Sequence, residues 1–372
     1  MTELYELDRR GHNVAVFANN EPDGIVHAEA DELDIPVGHA SSFGPIEGVH
    51  SLPDFIGRTA LERDVGFPFG LLRTHRAAEC VSFTESLSFE IDLVHAHFPV
   101  KGNLHAIDVA EQLGVPMTTT AHAFGIFTDG LSETASKMFD AASRILVISE
   151  YNRTYLQDVY GVEKPIDLVP TMIRMDKFDP GDADPKPKRL LTVGRLVPKK
   201  GHIYAVDAVA KLAEDYLEIE YHIAGDGAEE DRLRSRISDR GVEENVELLG
   251  RVSDDRLRRE FEEAAIFVLP CVIDETGDRD GIPVVLKEAM AMRTVCVSTY
   301  VSGIPELIED GETGLLVPER DVASLHEAMD SLLNMPESRQ LMSNSARKSI
   351  EASQRSPDET LDIVTSFMST VD

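Results

Sequence analysis

Short aliphatic runs separated by longer amphipathic stretches set the pattern of this chain. Asn13 to Ala18, Leu93 to His97, Pro116 to Thr120, Ile145 to Ser149 and Asp167 to Pro170 each read as a strand, and the stretches between them read as helices. Strands of this kind joined by helices predict βα units around a parallel sheet buried on both faces. Residues 38 to 70 break the rhythm with repeated Gly, Pro and Phe and read as an insertion with short helices. Met1 to Arg10 is charged and helical in pattern.

Asp179 to Lys188 (DPGDADPKPK) is a polar, Pro-rich stretch of the sort that joins domains. After it the rhythm restarts with Leu190 to Gly194, Tyr221 to Ala224, Val246 to Leu249, Ile266 to Pro270 and Thr294 to Ser298. The expectation is an α/β protein of two doubly wound parallel-sheet (Rossmann-like) domains facing across a cleft. The first is placed at 1–182 and the second at 183–355, with a final helical segment at 356–372, centred on Pro357 to Met368, packing back on the first. A length of 372 residues suits two domains of ordinary size. Open α/β sheets bind ligands beyond the carboxyl ends of their strands, so the residues that end strands carry the functional information.

Charge narrows the partners. Against 36 basic residues stand 67 acidic ones, a net charge of −31 in a chain that is 42% hydrophobic and so has the means to fold. Such a surface repels nucleic acid and anionic lipid in dilute buffer, and it is the balance expected in concentrated salt. The reading is a halophilic cytoplasm, with an ordinary acidic protein as the alternative. Cys80, Cys271 and Cys296 lie far apart and form no CxxC pair, which points to a reducing compartment without a disulfide framework or zinc knuckle. No apolar run approaches the roughly 18 residues of a membrane span. A cytoplasmic location follows as an expectation, compatible with loose attachment to a membrane surface.

Two motifs concentrate chemistry. Strand Leu190 to Gly194 ends in Gly194-Arg195-Leu-Val-Pro-Lys199-Lys200-Gly201, ahead of a helical pattern from His202 to about Tyr216. A guanidinium, an ammonium and a helix start with free N–H groups suit a diphosphate; a Gly-bounded loop with solvated cations is the bland alternative. The second motif is Asp278-Arg-Asp280-Gly281-Ile282-Pro283-Val-Val-Leu-Lys-Glu288. Pro283 suits the first turn of a helix, which puts Asp280 before it and Glu288 about a turn and a half inside. Two carboxylates along one cleft wall can grip sugar or ribose hydroxyls, while Gly281 admits phosphate to backbone N–H groups. Alternatively they are a dipole-balancing acid and an exposed Glu. Gly225-Asp226-Gly227 reads as a strand-to-helix turn. Gly250 to Ser253 reads as a turn with Ser253 or Asp254 as an N-cap, and Val301 to Val317 as a loop lining the cleft.

The succession GRLVPKKG, GDG, GRVS, DGIPVVLKEAMAM and VSGIPELIEDGETGLLVP, over Leu190 to Pro318, closely resembles the donor half of family 4 of the retaining glycosyltransferases. HAHF at His95, TAHAF at Thr120 and SEYNRTYL at Ser149 resemble the branch that builds exopolysaccharide and other surface glycans. The resemblance implies the GT-B fold, a nucleoside diphosphate sugar donor, a glycan or lipid-linked acceptor, and neither metal nor other cofactor. It implies that Arg195 and Lys200, beside Gly194, bind the donor diphosphate. Glu288 would hydrogen-bond the ribose and Asp280 the transferred sugar, with Gly281, Ile282 and Pro283 in the same loop. Val252 would read the base, and His122 would lie near the sugar. Asp280 stands where most of the family has Glu. Family members also begin with a strand and a Gly-containing loop, whereas this chain starts at what reads as the following helix. Three other functions stay open: a nucleotide-sugar epimerase, a non-catalytic nucleotide-sugar-binding protein, and a metal hydrolase built on His95, His97 and His122.

Overall fold

The computed structural model describes residues 2–19, 33, 35–40, 67–127, 132–181 and 185–353. After an opening helix, Thr2–Arg9, the first half pairs β1 (Val16–Ala18) with β2 (Val37–His39) in parallel. A second parallel ladder runs β3 (Val94–His97), β4 (Met117–Ala121), β5 (Arg144–Val147), β6 (Ile166–Leu168) in that order. Among the described residues the two ladders are separate. Side chains bridge them instead: the Phe17 ring lies 6.1 Å from Phe83 and 6.0 Å from His105, and Asn19 donates to Asn103 at 2.6 Å. Helix Ser132–Ala141 covers the larger ladder with Met138 and Phe139, and helix Glu150–Tyr160 does so with Leu156. Between them Ala121, Ile145 and Val147 close a core almost without solvent.

The second half is a six-stranded parallel sheet ordered β12-β11-β10-β7-β8-β9. Its members are β7 (Lys186–Val193), β8 (Glu220–Ala224), β9 (Val246–Gly250), β10 (Ala264–Val268), β11 (Val295–Thr299) and β12 (Gly314–Val317). The chain winds outward in one direction from β7 and in the other from β10, so these neighbours flank a topological switch point where an open sheet leaves a crevice. Leu190, Ile223, Ile266, Val268 and Val297 fill one face against helix His202–Asp215; Leu191, Phe267 and Cys296 fill the other against helix Val284–Ala291.

The amino ends of these strands are tied by charge. Arg189 of β7 pairs with Glu220 of β8 and with Glu263 at 2.5 Å. Glu260, almost fully buried, takes His222 Nδ1 at 2.7 Å and Arg256 at 2.6 Å. Every charge there has an opposite partner, which is the condition for burying it at all.

Several expectations shift. Val37–His39 and Gly314–Val317 are strands that the hydrophobic pattern did not single out, and residues 301–317 hold a short helix, Ile304–Leu307, and β12 rather than loop alone. β7 begins at Lys186, inside the stretch read as linker. Pro283 caps its helix from outside instead of standing in the first turn. The domain boundary expected at 182, most of the insertion at 38–70 and the final helix at Pro357 to Met368 lie outside the described residues.

Candidate active site

The crevice at the switch point is built from the turns that follow β7 and β10. After β7 the chain passes Gly194 and Arg195 into a 3₁₀ turn, Pro198–Lys200, and then into helix His202–Asp215. That turn is laid on the segment after β10: Val272 N–H donates to Lys199 O at 2.9 Å, and a Cβ on Gly201 would stand 1.9 Å from Pro270 O. Only glycine permits this approach, and Gly201 also has φ +68°. On the other flank Gly225-Asp226-Gly227 presses against the same turn. Leu196 N–H donates to Asp226 O at 2.8 Å, and a Cβ on Gly225 would meet Gly194 O at 2.0 Å. The GDG segment is thus a strand-to-helix turn, as its sequence suggested, and also the buttress of the Arg195 loop.

This packing turns two lysines inward. Lys199 and Lys200 are 4% and 9% exposed, low values that require partners for their ammoniums. Lys200 Nζ lies 2.7 Å from Asp280 Oδ2; Lys199 Nζ lies 3.1 Å from Asp278 and 3.4 Å from Asp280. Burial alone would push the Asp280 carboxyl up, but the charges of Lys200 and Lys199 and their hydrogen bonds hold it below its ordinary value. Burial likewise opposes the charge on Lys200, and Asp280 reverses that, so its ammonium is held above the ordinary value. Arg195 is exposed at the mouth, near enough to Lys200 to disfavour a second positive charge. Cys271 Sγ faces Asp280 Oδ2 at 3.8 Å, its thiol pushed up by burial.

The positions of the other expected residues follow from the loops and helices that carry them. Gly281 accepts from Gly303 N–H at 3.1 Å, and Ile282 packs against Gly303. Pro283 opens helix Val284–Ala291, on which Glu288 sits half-buried. Val252 follows β9 on the same sheet edge as Gly194; Ser253 caps the next helix by accepting from Arg256 N–H. Across the cleft His122 follows β4, its Nε2 3.1 Å from His97 Nδ1. Burial, then the neighbouring His97, push its pKa down to about 4. The next residue, Ala123, would be 3.7 Å from a Cβ on Gly281, so the His122 and Asp280 loops meet.

His95 departs from the three-imidazole alternative. Its Nδ1 lies 2.7 Å from Thr118 Oγ1 and its Nε2 2.9 Å from Thr120 Oγ1, so both ring nitrogens are engaged by hydroxyls. The two motifs as read from the sequence include Asp278 and Lys199 but give neither a role. Their pairing joins segments 79 residues apart, and the only signal was that each lies within two positions of a chosen residue.

Comparison with known proteins follows the same division. A family model described as "Glycosyltransferase Family 4" matches residues 3–177, and one described as "Glycosyl transferases group 1" matches residues 174–349. WcaL of Escherichia coli K12, provisionally named a colanic acid biosynthesis glycosyltransferase, is 32% identical over 250 residues, 65% of this chain and 61% of the relative. The amylovoran biosynthesis glycosyltransferase AmsK of Erwinia amylovora is 42% identical over 144 residues, 39% of this chain and 35% of the relative. The chain therefore spans less than two thirds of the length of both relatives. Among solved structures, Alr3699/HepE of Anabaena with UDP and glucose superposes with a TM-score of 0.77 at 15% identity, covering 100% of this chain and 95% of that one. Sucrose-phosphate synthase of Thermosynechococcus elongatus gives 0.76 at 18% identity over 99% and 91%. With its two halves matched in order by the two glycosyltransferase models and its architecture shared with GT-B structures, the chain belongs to glycosyltransferase family 4.

Proposed function

We propose that this chain is a retaining glycosyltransferase that moves a sugar from a nucleoside diphosphate sugar to a glycan or lipid-linked acceptor. The pathway class we propose is exopolysaccharide or surface-glycan synthesis on the cytoplasmic side. The observation that carries the reading is the Lys199–Lys200–Asp278–Asp280 cluster at the carboxyl ends of β7 and β10, with Arg195 at its mouth. As the bond from the sugar to the diphosphate breaks, negative charge accumulates on the leaving phosphate. Cations and N–H groups already fixed around that point stabilise it without reorganising. Arg195, Lys200 and the start of helix His202–Asp215 would fill that role, which a metal ion serves in other phosphate-transfer sites. Asp280 would take a sugar hydroxyl, Glu288 the ribose hydroxyls and Val252 the base through its backbone, with His122 facing the sugar as a neutral imidazole. Relatives named for colanic acid and amylovoran synthesis support the surface-glycan branch, and the neighbour holding UDP and glucose supports a uridine nucleotide.

A ligand that binds only the folded state raises the unfolding midpoint by mass action. Thermal unfolding in molar KCl across UDP-, GDP- and ADP-sugars should give a selective rise that is lost in Arg195→Ala. No rise with any of them would refute the donor assignment. NMR of the product then reads the anomeric configuration, and inversion would refute the retaining assignment.

A further inference from the structure

The two loops that carry the donor-side motifs both rest on one turn of the other half, the N-terminal turn of helix Glu150–Tyr160. The first backbone N–H groups of a helix have no acceptor within it. Here Ser149 accepts from Asn152 N–H at 3.1 Å, a local cap. The carboxylate of Glu306, from the donor half, accepts from Glu150 N–H at 2.8 Å and from Tyr151 N–H at 2.7 Å. Arg279, immediately before Asp280, reaches the same turn from the other side. Its guanidinium lies 4.8 Å from the centre of the Phe127 ring and 5.5 Å from that of Tyr155, and it donates to Tyr151 Oη at 3.2 Å.

Between these two contacts the backbones come close because side chains are missing. A Cβ on Gly281 would lie 3.2 Å from Ile148 Cδ1 and 3.5 Å from Asn152 Oδ1; one on Gly303 would lie 3.0 Å from Ser149 Cβ. Gly303 N–H in turn donates to Gly281 O at 3.1 Å, tying the loops to each other. Both side-chain contacts are charge-assisted. A carboxylate sits at the positive end of a helix dipole, and a guanidinium sits over aromatic rings.

We propose that Arg279 and Glu306 are positioning residues for sugar transfer, seating the Asp280 and Ile304 loops on the first turn of helix Glu150–Tyr160 so that the donor-side groups reach working geometry only while the two halves are joined. This rests on the glycosyltransferase reading given above. Neither side chain touches reacting atoms; each acts through the loop it anchors. Separating the halves would return both to water and let Asp280 drift from the cleft wall. Water admitted through the same gap would then compete with the acceptor for the sugar.

Two measurements on the full chain test this. Amide hydrogen exchange should show Glu150 and Tyr151 protected in the wild type and exchanging at least about tenfold faster in Glu306→Ala. The amide of Leu156, deeper in the helix, should be unchanged. In Arg279→Met and Glu306→Ala, kcat for transfer should fall about tenfold or more, and a larger share of donor should be lost to hydrolysis. The Kd for UDP should stay within about twofold, since a nucleoside diphosphate is held by the donor half alone. Should Glu306→Ala fail to fold, Glu306→Gln, which keeps one acceptor, gives the same readings at smaller amplitude. Unchanged exchange at Glu150 and Tyr151, or unchanged kcat and hydrolysis in both variants, overturns the proposal. Faster exchange in a protein whose wild type turns over no nucleotide sugar would instead overturn the glycosyltransferase reading and leave the contact established.

Discussion

Lys200 Nζ lies 2.7 Å from Asp280 Oδ2, joining the loop after β7 to the loop before helix Val284–Ala291. The cation proposed for the diphosphate and the acid proposed for the sugar therefore neutralise each other across the crevice. On that proposal an arriving donor would draw Lys200 partly away from Asp280, with Lys199 keeping the carboxylate paired. Lys200→Ala should lower kcat on the order of 10²-fold, the scale for loss of one fixed donor to a developing anion. Steady-state transfer kinetics read this directly, and an unchanged kcat would remove Lys200 from the site.

Gly201 tests whether the turn must lie against Pro270. Its φ of +68° and the 1.9 Å that a Cβ would leave to Pro270 O act together. Gly161 has φ +62° and an added Cβ there would meet nothing within 4 Å, so it isolates the backbone effect. Gly161→Ala should cost about 1–2 kcal/mol in urea unfolding, the usual penalty of left-handed backbone. Gly201→Ala should cost more than that and weaken nucleotide binding as well. Equal losses at the two positions would mean that the contact with Pro270 O is easily relieved.

Acid should unfold the protein in a defined window. Burial, with lesser charge effects, lowers His95 to about 3 and His105, His122 and His202 to about 4, from an ordinary 6.5. Between pH 6.5 and about 4 the unfolded chain takes up protons that these rings refuse in the fold, so stability falls as the pH drops through that range. Each ring contributes a slope of up to ~1.4 kcal/mol per pH unit. Asp280, held below its ordinary value, adds a further loss only at lower pH, once its carboxylate is protonated. Urea midpoints that stay level from pH 7 to pH 4.5 would contradict the neutral assignment of these histidines.

With a net charge of −31, the folded chain is opposed by its own surface at low salt. The thermal midpoint should climb as KCl rises from about 0.1 M to about 1 M, over which the screening length shrinks from ~10 Å to ~3 Å. A flat or falling midpoint would argue against adaptation to concentrated salt.

Much of the fold was legible because strands buried on both faces announce themselves as aliphatic runs, as Leu190 to Val193 and Ile266 to Val268 do. Gly314–Val317 escaped because it is four residues long and follows Asp310-Gly311, whose turn chemistry dominates the local pattern. Lys186 to Lys188 escaped because a strand end needs only its backbone to pair, and two lysines and a proline conceal that. In the site, the motif carrying Lys200 and the motif carrying Asp280 were each visible. Their salt bridge, the Lys199–Asp278 pair and the reach of Glu306 to Glu150 are not. Such pairings arise when distant segments are folded together, and no local pattern encodes them.

The ionic network of Arg189, Glu220, Glu260 and Glu263 sits at the amino ends of the strands, while the crevice opens at their carboxyl ends. The donor half thus has a chassis end and a tool end, separated by the length of the sheet. Loop residues such as Val252 and Ile282 can be exchanged without disturbing the charges that lock the strands together below. On the function proposed above, retargeting this half to another nucleotide sugar would be a problem of a few side chains at one rim, and a library confined to that rim should retain folding in most of its members.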